Sequence, residues 1–418
     1  MTEHVLVVGS GREFPTRLRR ALPGVQTSVI CRLEYVSKLR ELTEHTRVIA
    51  VRHDAPDEEW VALAAAVHAR HPFTRSIAFG ERDQDRYAIV SEALGIEAHS
   101  PETVRLVQDK EAMRVRLREA GVDDTVSARV ASAAELRAFA AGHGLPLVVK
   151  PISGAGSAGV TVVREEGGLG PAFERAAGDF AGIPDAGVLV ERFHEGPQFS
   201  VEAFSELGEH EIVAITQKHS DPENFVELGH VSPAPLDAGQ ETAVREYVAR
   251  LLDAVGVRAG ATHTEVVLGP DGPRVIETHV RMGGDEVPAL AQDVTGVDLA
   301  ECLIRQTLGE KVLPGVREAL RERPTDRASA IWFGAAPAAG ELVELTGLEE
   351  ARGMPGVTAV EPLVQPGSAL APLESSDDRV AYARAQAATA EEALDAARQA
   401  VARLGFHLRV GALVDTTV

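Results

Sequence analysis

A chain of 418 residues with 44% hydrophobic content is long and apolar enough for roughly two to four domains with cores of their own, which excludes a disordered or fibrous protein. A formal charge of −21 and an isoelectric point near 5.1 would repel nucleic acid and anionic membrane alike, so neither is an expected partner. Cys31 and Cys302 stand far apart, no run approaches transmembrane length, and MTEHVLVVGSG lacks the basic and long apolar regions of a signal peptide; no disulfide or zinc framework is expected, and the expected location is cytoplasmic.

The first element is an apolar strand running into a glycine turn, VLVVGSG from Val5 to Gly11, with Phe14 to Ala21 continuing as a helix. This is the start of a parallel α/β unit. A dinucleotide-binding loop would place a third glycine where Phe14 and Pro15 stand, so the turn reads as structural. Strands are expected at Arg47 to Val51 and Arg75 to Ala78, with a helix from Trp60 to Arg70 between them. Ser100 then caps a helix with Pro101 at its first position, which should run through Lys110 and stop at Gly121.

The stretch Leu145 to Val163, LPLVVKPISGAGSAGVTVV, reads as strand, lysine, glycine-rich loop and strand. Ser153, Gly154, Gly156 and Ser157 lie in a loop that can turn several backbone N–H groups toward one anion, while Lys150 adds a point charge. A triphosphate suits that arrangement, although the order of lysine and glycines is not that of a Walker loop, and a plain hairpin tip is the alternative. Gly187 to Phe204 gives two further strand segments, in which Glu191 to His194 can offer backbone groups to an adenine ring between apolar walls and Gln198 lies close by. FVELGHVSPAP is a strand followed by a Pro-rich loop, where His230 either faces a substrate or caps a turn.

After a helix from Ala238 to Val255, the segment Ala261 to Asp285, ATHTEVVLGPDGPRVIETHVRMGGD, alternates as two strands about a Gly-Pro-Asp-Gly turn. Glu265 and Glu277 sit in apolar strand, where burial would raise their pKa unless a cation compensated. Two carboxylates that leave an ion's other positions to water and phosphate oxygens are the usual setting of Mg²⁺ beside a nucleotide. His279, Arg281, Gly283, Gly284 and Asp285 follow at once, and the surface-hairpin alternative treats all of these charges as solvated.

In their order, QDKEAMRVRL, VVKPISGAGSAGV, VLVERFHEGPQFSVE and THTEVVLGPDGPRVIETHVRMGGD resemble the ATP-grasp superfamily. Within it the chain is similar to the carboxylate–amine ligases that join amino acids, the L-amino acid (dipeptide) ligases. The resemblance implies an α/β ATP-grasp fold with a Rossmann-like domain over residues 1–100, an ATP-grasp domain over 101–318 and a C-terminal α+β domain over 319–418. The nucleotide-binding subdomain would cover about 125–192, with a flexible loop at 153–159. Lys110 and Lys150 match the family's phosphate-binding lysines, the 153–159 loop its flap, Glu191 the acid at the adenine edge, and the backbone about Phe193 the base site. Glu265 and Glu277 match the metal-bridging acids and Arg281 the arginine that holds the reacting carboxylate or its phosphate.

Two departures stand out: Glu277-Thr-His279 replaces the usual Glu-X-Asn, and Gln198 replaces the acid that holds the ribose hydroxyls. The implied activity is ATP-dependent amide formation between an amino acid or related acid and the amine of another, through an acyl phosphate, with release of ADP and phosphate. Arg281, Gly284 and His230 would act at the reacting centre, and His230, Arg281, Gly283, Gly284 and Asp285 would contact substrate. ATP and Mg²⁺, or Mn²⁺ in its place, are the implied cofactors, small-molecule substrates that are amino acids or carboxylates the implied partners, and a homodimer the expected assembly. Another ATP-grasp carboxylate reaction, biotin-carboxylase-like or of the purine pathway, and a nucleotide-binding module without turnover are the alternatives.

Overall fold

The structure is a computed structural model that describes residues 3–152, 158–178, 187–221 and 226–409. At the amino terminus the strands His4–Val8, Gln26–Arg32, Arg47–Val51 and Arg75–Ala78 form a parallel sheet in which His4–Val8 lies between Gln26–Arg32 and Arg75–Ala78. All five residues of His4–Val8 are buried, as a parallel strand covered on both faces by helices requires. Gly9 and Gly11 turn the chain out of that strand with φ of +86° and +63°. Phe14 then stacks on Phe79 at 4.0 Å, so an apolar contact fills the place after the turn.

A second sheet of four strands, in the order Ser127–Val130, Val188–Arg192, Leu147–Pro151, Thr161–Val163, is antiparallel throughout. Leu147 and Val149 point into a core with Leu136 and Ala140 of the helix Ala133–His143 and Leu169 and Ala172 of the helix Leu169–Ala176.

The largest element is an eight-stranded antiparallel sheet. It runs Gly272–His279, Gly260–Gly269, Gln198–Glu206, Glu209–Ser220, Glu227–Ser232, Ala328–Ala335, Arg379–Ala387, Val357–Pro362. The helix Ala238–Val255 packs Val244, Tyr247, Val248, Leu251 and Leu252 into the core below its first strands. A capping box between Asp237 and Gln240 starts that helix, and Gly256 in the left-handed region ends it.

The boundary expected near residue 318 falls inside a continuous structure. Ala328–Ala335 pairs with Glu227–Ser232, and the helix Leu313–Glu322 crosses the boundary because Leu313 and Val316 are buried against Phe204, Val213 and Leu299. Beyond it, Ala393, Ala397 and Ala400 of the helix Ala390–Val401 pack on the alanine-rich strands Ala328–Ala335 and Arg379–Ala387. Among the described residues no helix is long and apolar enough to cross a membrane.

Candidate active site

A cavity of about 320 Å³ is lined by residues of the four-stranded and the eight-stranded antiparallel sheets. Of the residues singled out in the sequence, Lys110, Lys150, Glu191, Phe193, Gln198, His230, Glu265, Glu277, His279, Arg281, Gly284 and Asp285 border it. A larger cavity, about 630 Å³, opens between the amino-terminal sheet and residues 256–311 and is bordered by none of them. Ser153, Gly154, Gly156 and Ser157 lie outside the described residues, and Gly283 turns away from the cavity. Its N–H donates to Glu202 at 3.0 Å, which leaves the next residue, Gly284, on the wall.

Local geometry explains the convergence. Along Leu147–Pro151 the two-residue period sends Leu147 and Val149 to the helices and leaves Val148 and Lys150 on the cavity side. On the hairpin, Glu265 is the cross-strand partner of Glu277 and His263 that of His279, so one face of two strands carries both acids and both imidazoles. The helix expected to run unbroken from Ser100 to Gly121 is two helices, Pro101–Gln108 and Lys110–Glu119. Asp109 between them is extended, and its carboxylate caps the second helix by accepting from Ala112 N. Lys110 therefore starts a new helix and enters the site, 8% exposed, instead of standing on a solvated surface.

The charges interlock. Lys110 Nζ is 3.0 Å from Glu277 Oε2, and Glu277 Oε1 is 3.1 Å from His279 Nε2. The other nitrogen of that ring, Nδ1, meets Glu81 Oε1 at 3.1 Å, and Glu81 also takes the Arg281 Nε–H. Both nitrogens of the His279 ring therefore face carboxylates. Lys218 Nζ lies 2.6 Å from Glu265 Oε2 and 3.0 Å from Glu227 Oε1. Glu191 is held by the Arg114 Nε at 2.7 Å and the Lys150 Nζ at 2.7 Å.

These contacts decide the protonation states. Burial would raise the Glu191 carboxyl, but the Arg114 guanidinium and then Lys150 outweigh it and pull the pKa down to about 2. Burial pushes Lys150 below the ordinary lysine value, because its one carboxylate, Glu191, is shared with Arg114 and Lys110 is also near. Glu265 is likewise buried yet brought down to about 2, chiefly by Lys218, while Glu277 falls well below the usual range through Lys110 and His279 despite its burial. Lys218 is buried but raised by Glu265 and Glu227. The site thus keeps these carboxylates ionised although Glu191 is buried and Glu265 and Glu277 are largely so.

At one end, Val148 and Val162 of the small sheet, Val160 just before its last strand, and Val267, Val275 and Ile276 of the large sheet make the walls apolar. Phe193 lies beside them, its N–H given to Pro146 O at 3.2 Å. At the other end, Asp285 is bound by both terminal nitrogens of Arg379, each at 2.7 Å, and approached by His230 Nε2 at 3.6 Å. Among the described residues no set of three or more His, Cys, Asp or Glu is placed to enclose a metal ion. Two acids set side by side on paired strands fit an ion that keeps its remaining positions for water and phosphate oxygens.

Sequence reading passed over Glu81, Arg114, Glu202, Lys218, His263 and Arg379. Arg114 carried a usable signal, one helical turn from Lys110, and His263 another, two residues from Glu265 on the same strand face. Arg379 and Glu81 reach the site from remote segments and carried none.

An ATP-grasp domain matches residues 143–289, the part that contains Lys150, Glu191, both hairpin acids and Arg281. The C-terminal domain 2 of L-amino acid ligases matches residues 332–409. The chain thus contains an ATP-grasp domain and, after it, a domain that matches the C-terminal domain 2 of L-amino acid ligases. It is 30% identical over 312 residues to the uncharacterized protein y4rH of Sinorhizobium fredii, covering 74% of this chain and 63% of that one. It is 27% identical over 272 residues to the alanine–anticapsin ligase of Bacillus subtilis, covering 60% and 57%. The chain thus spans about three fifths of the length of these curated relatives. In fold it is similar to the crystal structure of an L-amino acid ligase from Bacillus licheniformis, with a TM-score of 0.82, 21% identity and coverage of 98% and 99% of the two chains.

Proposed function

We propose that the chain is an ATP-dependent carboxylate–amine ligase, joining the carboxyl group of one amino acid or related acid to the amine of another. The observation that carries this reading is the order of chemistry along one cavity: apolar walls, then lysines and paired acids, then Arg281, Gly284 and the Asp285–Arg379 pair. The name of the Bacillus subtilis relative is that of a ligase acting on alanine and anticapsin, and the reading extends that kind of reaction to this chain.

The adenine ring would lie between the valine walls beside Phe193, with Gln198 near the ribose. Lys110 and Lys150 would hold the phosphates, and Glu265 and Glu277 would hold Mg²⁺, or Mn²⁺ in its place. The ion would screen phosphate charge as it shifts onto ADP. The acid's carboxylate oxygen attacks the γ-phosphorus and the bond to the β-phosphate oxygen breaks, giving ADP and an acyl phosphate. Arg281, oriented by Glu81, holds the reacting group. The amine then attacks the acyl carbonyl, Arg281 and the Gly284 backbone balance the charge on the tetrahedral oxygen, and its collapse expels phosphate and leaves the amide. The proton of the attacking nitrogen leaves by way of His230, whose ring has no hydrogen-bond partner among the described residues.

A matrix of amino-acid pairs, scored by phosphate release and product mass, tests this reading. Amide product should form with ADP and phosphate. With ¹⁸O in the acid's carboxylate, one label should pass to inorganic phosphate; label in AMP would reject the acyl-phosphate route.

A further inference from the structure

The two acids assigned to the metal are each backed by an imidazole, and each imidazole by a second carboxylate. Glu277 faces His279, whose other nitrogen faces Glu81, which also takes the Arg281 Nε–H. Glu265 Oε1 lies 3.4 Å from His263 Nε2, and the Nδ1 of that ring donates to Glu202. The second oxygen of Glu202 accepts the Gly283 N–H at 3.0 Å. Two paths of the same make-up therefore lead from the paired acids to neighbouring points of the turn that carries Arg281 and Gly284.

Glu202 is 0% exposed in the middle of the strand Gln198–Glu206, where it is the cross-strand partner of His263. On the same strand face Gln198 and Ser200 border the cavity and Phe204 packs in an apolar cluster, so Glu202 lies between the site and the core. Gly283 rests directly on the Glu202–His263 pair. A Cβ there would stand 2.8 Å from both Glu202 Oε1 and His263 Nδ1, closer than such atoms approach, while its φ lies outside the left-handed region. Glycine is therefore required for space alone. Among the described residues His263 is the one basic side chain paired with Glu202, whereas Glu81 is shared between His279 and Arg281. A carboxylate buried this deeply gains little stability from a single such pair, and its two contacts point to positioning instead.

We infer that Glu202 is a positioning residue that ties the metal acid Glu265, through His263, to the Gly283–Gly284 turn. This rests on the ligase reading above and adds a residue to it. The phosphate transferred to the acid and the acyl oxygen that later carries charge belong to one molecule, so the metal acids and the Gly284 backbone must keep a fixed separation. A carboxylate with one oxygen on each arm sets that separation. Lys218 holds Glu265 by Oε2, which leaves Oε1 to be oriented by His263. Glu202 does not border the cavity, so it acts through these two neighbours and not on a reacting atom.

Glu202→Gln keeps the shape of the side chain but offers one acceptor oxygen in place of two, so either His263 or Gly283 loses its partner. In that variant Mn²⁺ should bind the ADP complex about 10-fold more weakly, read from the electron paramagnetic resonance of the free ion, because the outer partners of metal ligands carry about 10- to 100-fold in affinity. More than one ADP should be released per amide formed, since acyl phosphate held loosely at the turn is lost to water. A residue that only supports the fold would lower the active fraction and leave the Mn²⁺ affinity and the ADP-to-amide ratio of that fraction unchanged, and this result overturns the proposal. The natural chain decides even if Glu202→Gln does not fold. Met282-Gly283 is the one Met-Gly pair in the sequence, so ¹³C-carbonyl methionine combined with ¹⁵N-glycine gives a single correlated amide signal, that of Gly283. Mg²⁺ added to the ADP complex should shift this signal, and an unmoved signal overturns the tie. Neither the Mn²⁺ titration nor the amide signal needs turnover. Absence of hydroxamate from ATP, hydroxylamine and every acid tried would instead remove the ligase reading and leave the tie to be decided by those two readouts.

Discussion

At the end assigned to the nucleotide, Lys110, Lys150 and Glu191 come from one helix and two neighbouring strands, and each charge is balanced by another within that group or by the hairpin acids. At the substrate end, Glu81 comes from the amino-terminal domain, His230 and Asp285 from the middle of the chain, and Arg379 from the C-terminal part. The first end is a local construction and the second a meeting of remote segments. Changes at the substrate end can therefore alter what is joined while the phosphate chemistry stays in place, and substitutions at the two ends should separate in kinetics.

The largest expected effect is at the junction of the two. Glu277→Gln keeps the shape of the side chain but removes a charge held between Lys110 and His279, and the rate of phosphate release should fall about 100- to 1000-fold. Near-UV circular dichroism should show the fold retained. Full activity at limiting Mg²⁺ would remove Glu277 from the metal site.

A second effect belongs to the nucleotide end alone and is read as stability. The folded pKa of Glu191, about 2, lies below the ordinary 4.5, so its ion pairs stabilise the fold fully above pH 4.5 and are lost as pH falls from 4.5 toward 2. That shift corresponds to about 3 kcal/mol. Urea unfolding across this window should show a shallower acid slope for Glu191→Gln than for the natural chain, and identical slopes would mean that Glu191 is not held ionised. Smaller again is Lys150→Ala, where loss of one charged phosphate contact should weaken ATP binding about 10- to 100-fold by calorimetry. An unchanged affinity would make Lys150 a structural partner of Glu191 and nothing more.

The same division explains what the sequence disclosed. Period two on the hairpin sets Glu265 opposite Glu277, and the same period along Leu147–Pro151 leaves Lys150 on the cavity side; both placements follow from local geometry. The strand Gln26–Arg32 went unnoticed because a strand buried on both faces has no alternation to read. The break at Asp109 was hidden because an aspartate inside a charged helical pattern looks like one more solvated residue until its side chain is seen capping Ala112. Glu81 and Arg379 owe their places to topology, to a parallel strand end and to a sheet that continues past its expected boundary, and no local pattern encodes either.

Glu81 gives the finest separation of the two ends. It contacts no element of the nucleotide strands directly, yet it holds Arg281 and the far side of the His279 ring, and burial that would raise its pKa is overcome by these two cations, which bring it to about 2. Glu81→Gln leaves a side chain of the same size that can still accept from Arg281 Nε but exerts no charge. Arg281 should then be less firmly aimed at the reacting carboxylate, and kcat/KM for the acid should fall about 10-fold, the cost of weakening one charge-assisted hydrogen bond. ATP affinity should change less than about two-fold, because Lys150 and Glu191 have no contact with Glu81 and Lys110 feels its charge only after those of Glu277 and Glu191. Titration of nucleotide affinity beside acid-dependent phosphate release measures both quantities on one variant. Equal losses in the two would show that the ends are coupled through His279 and Glu277, and the local and remote halves of the cavity would have to be treated as a single unit.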